Sequence, residues 1–223
     1  TALDDAIIPG GSSVIINVSS FVKSIVLQST STITMNQSLS FTNASSFSAN
    51  TTVNWNTGSL YGGGTLTNNG SIIMNTASSR YISGATTLIN NGTMTMPDGG
   101  YFYLYDTSIL NNATSGIFDL QSNAYVSYNG TDHNFINAGL LKKTGGGGVS
   151  YFYPNLTNTG TISVENGTLD MYYLGKTFNG GVYNVSTGNT LLISTTGMNI
   201  SGTLTGNLDG ALNWIGNLSV PTT

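Results

Sequence analysis

The sequence predicts an all-β chain wound as a right-handed parallel β-helix, or β-solenoid, with about 21–24 residues per coil. The prediction follows from a corner motif that recurs along the chain, from apolar residues that alternate after each corner, and from a composition rich in uncharged polar residues. A helical fold is disfavoured because Asn, Gly, Thr and Ser dominate and no apolar stripe of period 3.6 is sustained.

The corner motif is Asn-x-Gly. Its glycine, which we call the marker glycine, recurs at spacings of 22, 24, 23, 21, 21 and 21 residues: Gly70, Gly92, Gly116, Gly139, Gly160, Gly181 and Gly202. Gly116 fits with an insertion after Asn112, and Gly202 follows Ser201 instead of an Asn-x pair. Gly and Asn tolerate left-handed backbone, so the motif predicts tight corners. Asn side chains stacked from coil to coil can form hydrogen-bonded amide ladders.

Apolar residues follow each marker glycine with a period of two. The residue two positions past it is apolar in every repeat: Ile72, Met94, Phe118, Leu141, Ile162, Tyr183 and Leu204. Most repeats add a second one four positions past it: Met74, Met96, Leu120, Val164 and Val185. This alternation predicts a strand with one buried face, and stacked strands would form a continuous apolar column. A second corner, as at Asn166-Gly167, predicts at least two strands per coil.

The main alternative is a β-sandwich, whose strands recur every 8–12 residues or so. A sandwich accounts for the frequent turns but not for a register kept over seven repeats. We assign residues 41–223 to the solenoid repeats. Residues 1–40 are predicted to form strands of irregular length that cap the solenoid or pair with a neighbouring subunit, with Asp4, Asp5 and Pro9 as edge-blunting residues.

Composition excludes several classes of function. Charged residues are 6% of the chain and the net charge is -4, so no basic patch for nucleic acid is expected. The lack of Cys excludes a disulfide framework and a cysteine zinc site. The sequence contains no run of 18 apolar residues, so no membrane-spanning helix is predicted. The start at Thr1, without a hydrophobic leader, fits a mature exported chain or an excised fragment.

Four stretches carry a resemblance to a known class of protein: WNTGSLYGGGTLTNNGSI, NFINAGLLKKTGGGG, LTNTGTISVENGTLDM and FNGGVYNVSTGNTLLI. They resemble the Gly/Asn/Thr repeats of large secreted bacterial and archaeal surface proteins, which are adhesin-like chains built of right-handed parallel β-helix repeats. The resemblance covers roughly residues 41–212. It implies the fold and a location outside the cell, and it supplies no catalytic residues.

Catalytic machinery is not predicted. Two carboxylates that act as an acid–base pair must face each other. Counted from the preceding marker glycine, the Asp and Glu residues form no cluster at one position of the coil; only Asp132 comes close to the position of Asp106, with an inserted coil between them. The single histidine, His133, is interpreted as a solvated turn residue, and the Gly-rich Thr144–Ser150 as a broad turn without the ending of a phosphate loop. We therefore expect no enzyme activity, no cofactor and no metal site.

The tyrosines are the strongest indication of a binding surface in the sequence. The candidate surface-binding residues alternate with apolar residues: Tyr101, Tyr103, Tyr105, Tyr151 and Tyr153. Tyr81, Tyr125, Tyr128, Tyr172 and Tyr173 fall in a similar part of the coil. Stacked coils would place them on one flank, where exposed rings suit a sugar or a protein surface. The alternative is that tyrosine serves as a strand former and half of the rings are core.

Thirteen Asn-x-Ser/Thr sequences are candidate glycosylation sites: Asn17, Asn36, Asn43, Asn50, Asn69, Asn91, Asn112, Asn129, Asn155, Asn166, Asn184, Asn199 and Asn217. Asn-Gly-Thr corners create some of them automatically. In an organism that glycosylates secreted proteins, we expect glycans on several exposed corners.

The function predicted from the sequence is a non-enzymatic, extracellular structural protein: a rigid subunit of a cell-surface filament or adhesin stalk that assembles through β-edge contacts. Its expected partners are copies of itself, joined head to tail or laterally, with surface glycans as a second class. The alternatives are a carbohydrate-binding or polysaccharide-degrading β-helix module and, from threonine pairs such as Thr93/Thr95, an ice-binding surface.

Overall fold

A computed structural model describes residues 4–131, 133–172, 175–195, 197–215 and 218–219. These residues form a parallel β-solenoid of about nine turns, with no helix among them. The predicted fold class is confirmed. Each full turn carries three strands, and the strand pairings of the described residues are all parallel, so three sheets run along the solenoid.

In each full coil, one strand of sheet I is followed by one of sheet II and one of sheet III. Two longer strands, β25 and β27, each span the corner between sheets I and II. Sheet I contains β1 (Asp5–Ile8), β4 (Ser24–Leu27), β7 (Ser45–Phe47), β10 (Thr65–Asn68), β13 (Thr87–Asn90), β16 (Ile109–Asn112), β19 (Asn134–Asn137), β22 (Asn155–Asn158), the first parts of β25 (Lys176–Val185) and β27 (Met198–Thr205), and β29 (Leu218–Ser219). Sheet II contains β2 (Ser13–Ile16), β5 (Thr32–Met35), β8 (Thr52–Trp55), β11 (Ser71–Ile73), β14 (Thr93–Met96), β17 (Ile117–Leu120), β20 (Leu140–Lys143), β23 (Thr161–Val164) and the second parts of β25 and β27. Sheet III contains β3 (Ser20–Val22), β6 (Leu39–Phe41), β9 (Gly58–Tyr61), β12 (Ser79–Ile82), β15 (Tyr101–Tyr105), β18 (Tyr125–Asn129), β21 (Val149–Phe152), β24 (Thr168–Tyr172), β26 (Thr190–Ser194) and β28 (Ala211–Ile215).

The apolar column predicted after the marker glycines lies inside the solenoid. Every residue two positions past a marker glycine is buried except Leu204, which belongs to the last coil and is 43% exposed. The predicted residues four positions past it are buried as well. Because each coil contributes its own layer of side chains, the column is one continuous core along the axis.

The solenoid also includes residues that the sequence analysis set apart. Strand β1 pairs with β4, β2 with β5 and β3 with β6, so the coils built from residues 4–41 stack in register on those that follow. The boundary drawn at residue 40 falls inside β6. The repeat is hidden there because these short coils, in which Asp5 and its partner Ser24 are 19 residues apart, lack the Asn-x-Gly corner.

A buried amide ladder runs along the corner between sheets I and II. The Nδ2 atoms of Asn68 and Asn90 donate to Oδ1 of Asn90 and Asn112, both at 2.8 Å. Asn112 donates to Asn137 at 2.8 Å, and Asn137 to Asn158 at 2.6 Å. All five side chains are fully buried. The ladder continues into the next coil, where Asn158 Nδ2 donates to the Tyr183 hydroxyl at 2.8 Å and that hydroxyl donates to the Gly180 carbonyl at 3.0 Å.

The marker glycines are required for a reason different from the one predicted. Among them only Gly181 and Gly202 have positive φ, so left-handed backbone does not explain the others. The cause is close stacking of the coils. A Cβ on Gly139 would overlap the carbonyl oxygens of Ala113 and Gly116, and one on Gly160 would overlap the carbonyl oxygen of Gly139. Each marker corner therefore lies directly against the preceding one.

Removal of one ladder amide is expected to be costly. In an Asn137→Leu variant, the Asn158 Oδ1 and the Thr161 carbonyl lose their donor, and Asn112 Nδ2 loses an acceptor. Asn112 Nδ2 keeps its bonds to the carbonyls of Gly116 and Leu140, so two groups are left without a donor. Each unsatisfied buried group costs about 1–3 kcal/mol, so we expect the free energy of unfolding to fall by roughly 2–6 kcal/mol. Urea unfolding followed by circular dichroism measures this loss.

The matched control is Asn91→Leu, which removes the solvent-exposed hydrogen bond from Asn91 Nδ2 to Asn69 Oδ1 at 3.0 Å. Because water can replace that partner, we expect a change below about 1 kcal/mol. Equal losses in the two variants would show that the buried ladder contributes no more than surface amides do.

Three cationic side chains are buried at corners, contrary to the usual position of charge in a folded chain: Arg80, Lys143 and Lys176. Each binds backbone carbonyl oxygens. Arg80 donates to the carbonyls of Trp55, Thr76 and Ser78, and Lys143 to those of Ser122, Gly145 and Gly146. Lys176 Nζ donates to the carbonyls of Tyr153 at 3.1 Å and Pro154 at 2.6 Å. These cations donate hydrogen bonds to carbonyl groups that would otherwise lack a donor at the turns.

Burial lowers the pKa of all three groups. It lowers the pKa of Lys176 to about 7, against the opposing effect of the Asp170 charge, and it lowers the pKa of Lys143. The pKa of Arg80 falls to about 10, so its guanidinium remains protonated at neutral pH. Lys176 thus changes its charge near neutral pH.

Candidate functional site

The candidate tyrosines gather on the outer face of sheet III. We call this group the tyrosine stack: Tyr81, Tyr101, Tyr103, Tyr105, Tyr125, Tyr151, Tyr153 and Tyr172. Alternation along the strands sends Phe102, Leu104 and Phe152 into the core and the tyrosines outward. None of the eight is buried, and Tyr101 and Tyr172 are the most exposed at 41% and 42%.

The stack is held in place by strand register. Tyr101 pairs with Tyr125 and Tyr125 with Tyr151 across β15, β18 and β21. Their ring centroids lie 4.9 and 5.0 Å apart, with interplanar angles of 28° and 27°. Tyr81 and Tyr103 repeat this arrangement at 5.2 Å and 13°. The ring spacing is close to the distance between neighbouring strands, so the backbone itself sets the stacking.

Stacking determines what the surface offers to a ligand. The faces of Tyr101, Tyr125 and Tyr151 are turned toward one another, so the edges and hydroxyl groups face solvent. A sugar ring that stacks flat on an aromatic face would have to compete with the neighbouring tyrosine. The stack is therefore better suited to contacts at ring edges and to hydrogen bonds with the phenols. Burial, helped by the neighbouring rings, raises the pKa of Tyr103 and Tyr153.

Asp170 lies at the end of the row formed by Tyr101, Tyr125 and Tyr151. It lies next to Tyr151 in register, on the same outer face, and is only 5% exposed. Its Oδ1 has no hydrogen-bond partner among the described residues, although the carboxyl group is bonded to Ser194. Burial raises the pKa of Asp170, while Ser194 and the Lys176 charge oppose that rise.

The histidine is not the solvated turn residue that was predicted. His133 is 7% exposed, and its ring stacks on Tyr128 with centroids 3.6 Å apart. Its Nδ1 also accepts a hydrogen bond from the backbone N–H of Asn155 at 3.3 Å. Stacked against a ring and bonded to backbone, His133 is a packing residue. Asp132 and Tyr173 lie outside the described residues.

A second candidate site is the apolar end of the solenoid at its last coil. A cavity of about 210 Å³ opens there, with Phe178, Tyr183 and Met198 on its inner side. Leu204, Leu208 and Leu212 line its outer part and are each more than two-fifths exposed. These residues occupy the positions that the next layer of core would cover in an interior coil.

Of the candidate glycosylation sites, most lie at the surface. Exposed asparagines are Asn17, Asn43, Asn50, Asn69, Asn129, Asn166 and Asn199, and half-buried ones are Asn36, Asn91, Asn155 and Asn184. The prediction of a glycan on Asn112 is wrong. Its side chain is fully buried within the amide ladder and cannot carry a glycan in the folded protein. Asn217 lies outside the described residues.

The carboxylates of the described residues do not gather into one cluster. Within the described ranges, no three His, Asp or Glu side chains converge as a metal-binding group. Asp119 is buried against Lys142, 3.5 Å away, and accepts hydrogen bonds from Thr144 and Gln121. The predicted threonine array is interrupted here, since Thr93 and Thr95 are followed in register by Ile117 and Asp119.

No helix long and apolar enough to cross a membrane is found in the part of the chain that the structure describes. Comparisons of the chain with protein-family models, with curated proteins and with solved structures find no match.

Proposed function

We propose that the chain is a non-enzymatic, extracellular structural protein, a rigid β-solenoid subunit of a cell-surface filament or adhesin stalk that assembles through its strand edges. The proposal rests on the strand edges at the two ends of the solenoid. Within the described residues, both ends present strand edges beside apolar side chains, and open edges recruit further strands unless they are blocked.

The first coil offers one of these edges. Among the described residues, β1, β2 and β3 each pair with a strand on one side only, namely β4, β5 and β6. Thr32 and Asn36 donate to the carbonyls of Ser12 and Ile16, so the even-numbered residues of β2 bond to β5. In a parallel ladder the alternate residues point the other way, which leaves the N–H and carbonyl of Ile15 on the outer side.

The last coil offers the complementary surface. The second part of β27, which ends at Thr205, and β28 have no further partner strand among the described residues. Leu204, Leu208 and Leu212 lie beside these edges. On the first coil, Ala6, Ile8, Val14 and Val22 are only partly buried against the core. Contact between the two ends would extend all three sheets and bury both sets of apolar residues.

Blocking the first edge tests the proposal. In an Ile15→Pro variant the ring removes the outward N–H and projects into the space of an added strand, while the bonds between β2 and β5 are kept. Ile15 is 60% exposed, so the substitution removes little core. We expect ordered fibres of the unaltered chain in negative-stain electron microscopy and monomers of the variant in analytical ultracentrifugation.

The matched control is Ile15→Thr, which lowers the apolar exposure but keeps the N–H. We expect this variant to assemble like the unaltered chain. A chain that stays monomeric at high concentration without substitution would refute the proposal, and so would fibres of Ile15→Pro.

A carbohydrate-binding or carbohydrate-cleaving module is the second candidate, favoured by the phenol groups in the tyrosine stack. A glycan-array signal with turnover of an acidic polysaccharide would support it. Glycans attached to exposed asparagines belong to the first proposal, and an intact mass equal to the bare polypeptide in material from the natural source would count against them.

A further inference from the structure

Oxidisable side chains are distributed unevenly in this molecule. The chain has no Cys, and all six methionines are buried: Met35, Met74, Met94, Met96, Met171 and Met198. The side chains of Trp55 and His133 are buried as well. Among the described side chains, the oxidisable groups that reach solvent are therefore tyrosines, and eight of them belong to the tyrosine stack. A one-electron oxidant outside the molecule meets these phenols first.

Within the stack, neighbouring rings are already close enough to react with each other. Tyr125 lies between Tyr101 and Tyr151, with ring centroids 4.9 and 5.0 Å away. Parallel pairing of β15, β18 and β21 keeps the three residues at the same level of the coil. Two radicals formed on such neighbours need no diffusion to meet, which is the advantage that proximity gives to any coupling step.

We propose that the row Tyr101–Tyr125–Tyr151 is a site of oxidative tyrosine–tyrosine coupling, which joins neighbouring coils of one chain by a covalent bond. The oxidant is hydrogen peroxide acting through a haem peroxidase. This modification concerns the flank of the solenoid and does not depend on end-to-end assembly.

The reaction is balanced as follows. Each of two tyrosines loses one electron and its phenolic proton, which gives two neutral tyrosyl radicals. The radicals couple between ring carbons next to the hydroxyl-bearing carbons, and the hydrogen on each coupled carbon shifts to the oxygen, which restores both phenols. Two protons and two electrons leave the pair, and they reduce one hydrogen peroxide to two water molecules.

The experiment treats the purified, folded chain with hydrogen peroxide and horseradish peroxidase. We expect the fluorescence of coupled tyrosine in the monomer band, a mass lowered by two hydrogen atoms per bond, and chymotryptic peptides that link Tyr125 to Tyr101 or Tyr151. Because coupling occurs within one chain, its yield per chain should not change on dilution. The same treatment in urea should give less than about a tenth of that yield, since unfolding removes the fixed proximity.

Tyr125→Phe is the test variant, because phenylalanine keeps the stacked ring but has no phenol to oxidise. Both linked peptides should disappear, and the total fluorescence should fall by about half or more, since two of the four near-parallel tyrosine pairs contain Tyr125. The matched control is Tyr61→Phe, since Tyr61 lies on the same sheet but packs against Phe21 outside the stack.

Circular dichroism establishes that both variants are folded. The proposal is overturned if the coupled product appears only in dimers and larger species, if unfolded chains couple as well as folded ones, or if Tyr125→Phe retains the full yield. The peptide map of the unaltered chain is decisive by itself, because a map without the links from Tyr125 to Tyr101 or Tyr151 would contradict the assignment.

Discussion

Replacement of Gly139 by valine is expected to lower the free energy of unfolding by about 4 kcal/mol or more, a loss that few single substitutions produce. A Cβ at this position would overlap the backbone carbonyl oxygens of Ala113 and Gly116. Side chains can rotate away from a clash, but these atoms are backbone of the adjacent coil. Relief of the overlap would require the coils to move apart.

Such a movement would not remain local. The corner that contains Gly139 carries Asn137, which bonds to Asn112 on one side and Asn158 on the other. Strand β20, which follows the corner, pairs with β17 and β23. Separation of the coils at Gly139 would therefore lengthen the buried amide bonds and disturb two strand pairings. Urea unfolding at a single temperature, followed by circular dichroism, measures the combined loss.

The chain provides a matched control in Gly147. A Cβ added there meets no atom within 4 Å, and its φ is not positive, so Gly147→Val removes a glycine from a turn without a clash. We expect a change within about 1 kcal/mol. If Gly139→Val were as mild as this control, the marker corners would not be stacked in contact, and the basis of the fold would be wrong.

The sequence was sufficient for the period and for the apolar column that follows the marker glycines, from Ile72 to Val185. Both follow from one physical rule, that a residue in a stacked coil has the environment of its counterpart in the next coil. The Asn-x-Gly motif marked one corner clearly because its asparagines and glycines perform distinct tasks, hydrogen bonding between coils and permitting close approach. The other corners vary in length and composition, so the third strand of each coil was not recognised.

The sequence analysis did not predict the buried cations, although their positions within the repeat indicated burial. Lys143 stands four positions past Gly139, which is the inward position that Leu120 and Val164 occupy in neighbouring coils. In the same way, Arg80 pairs in register with Phe102, and Lys176 with Leu156. A charged residue is normally assigned to solvent. Position in the repeat was the better guide, because carbonyl groups at the corners could satisfy the charge.

The outward direction of the tyrosines could be predicted, but their ring geometry could not. Alternation places Tyr101 and Tyr103 on one face, whereas the stacking on Tyr125 depends on the register between coils of different length. The burial of His133 depends in the same way on Tyr128 of the preceding strand. Contacts of this kind arise from the three-dimensional stacking and leave no local sequence signal.

The stability of the protein is expected to rise with pH between about 7 and 10 because of Lys176. Burial lowers the pKa of this lysine from 10.5 to about 7 in the folded chain, so across this window the unfolded chain binds a proton that the folded chain has released. Stability increases with pH wherever the unfolded state binds more protons, by up to about 1.4 kcal/mol per pH unit for one group. Below pH 7 both states hold the proton, and this contribution becomes constant.

Other titratable groups limit the pH range over which the effect of Lys176 can be measured. Lys143, whose pKa is also lowered by burial, contributes in the same direction. Burial raises the pKa of Tyr183 from 10.0 to about 12, so the folded chain keeps its phenolic proton longer than the unfolded chain, and stability is lost as pH rises through that range. Measurements at pH 7, 8 and 9 avoid this opposing effect.

Lys176→Met tests the assignment, with Lys23→Met as a control that removes a lysine at the surface, where Lys23 lies 3.5 Å from Asp5. Urea unfolding should show a clear rise in the free energy of unfolding from pH 7 to pH 9 for the unaltered chain and for Lys23→Met. For Lys176→Met the greater part of that rise should be absent. The slope is the informative quantity, because the loss of hydrogen bonds to the carbonyls of Tyr153 and Pro154 shifts the stability equally at every pH. An unchanged slope in Lys176→Met would mean that this amine keeps its proton in the folded core and that the carbonyl groups around it fully offset its burial.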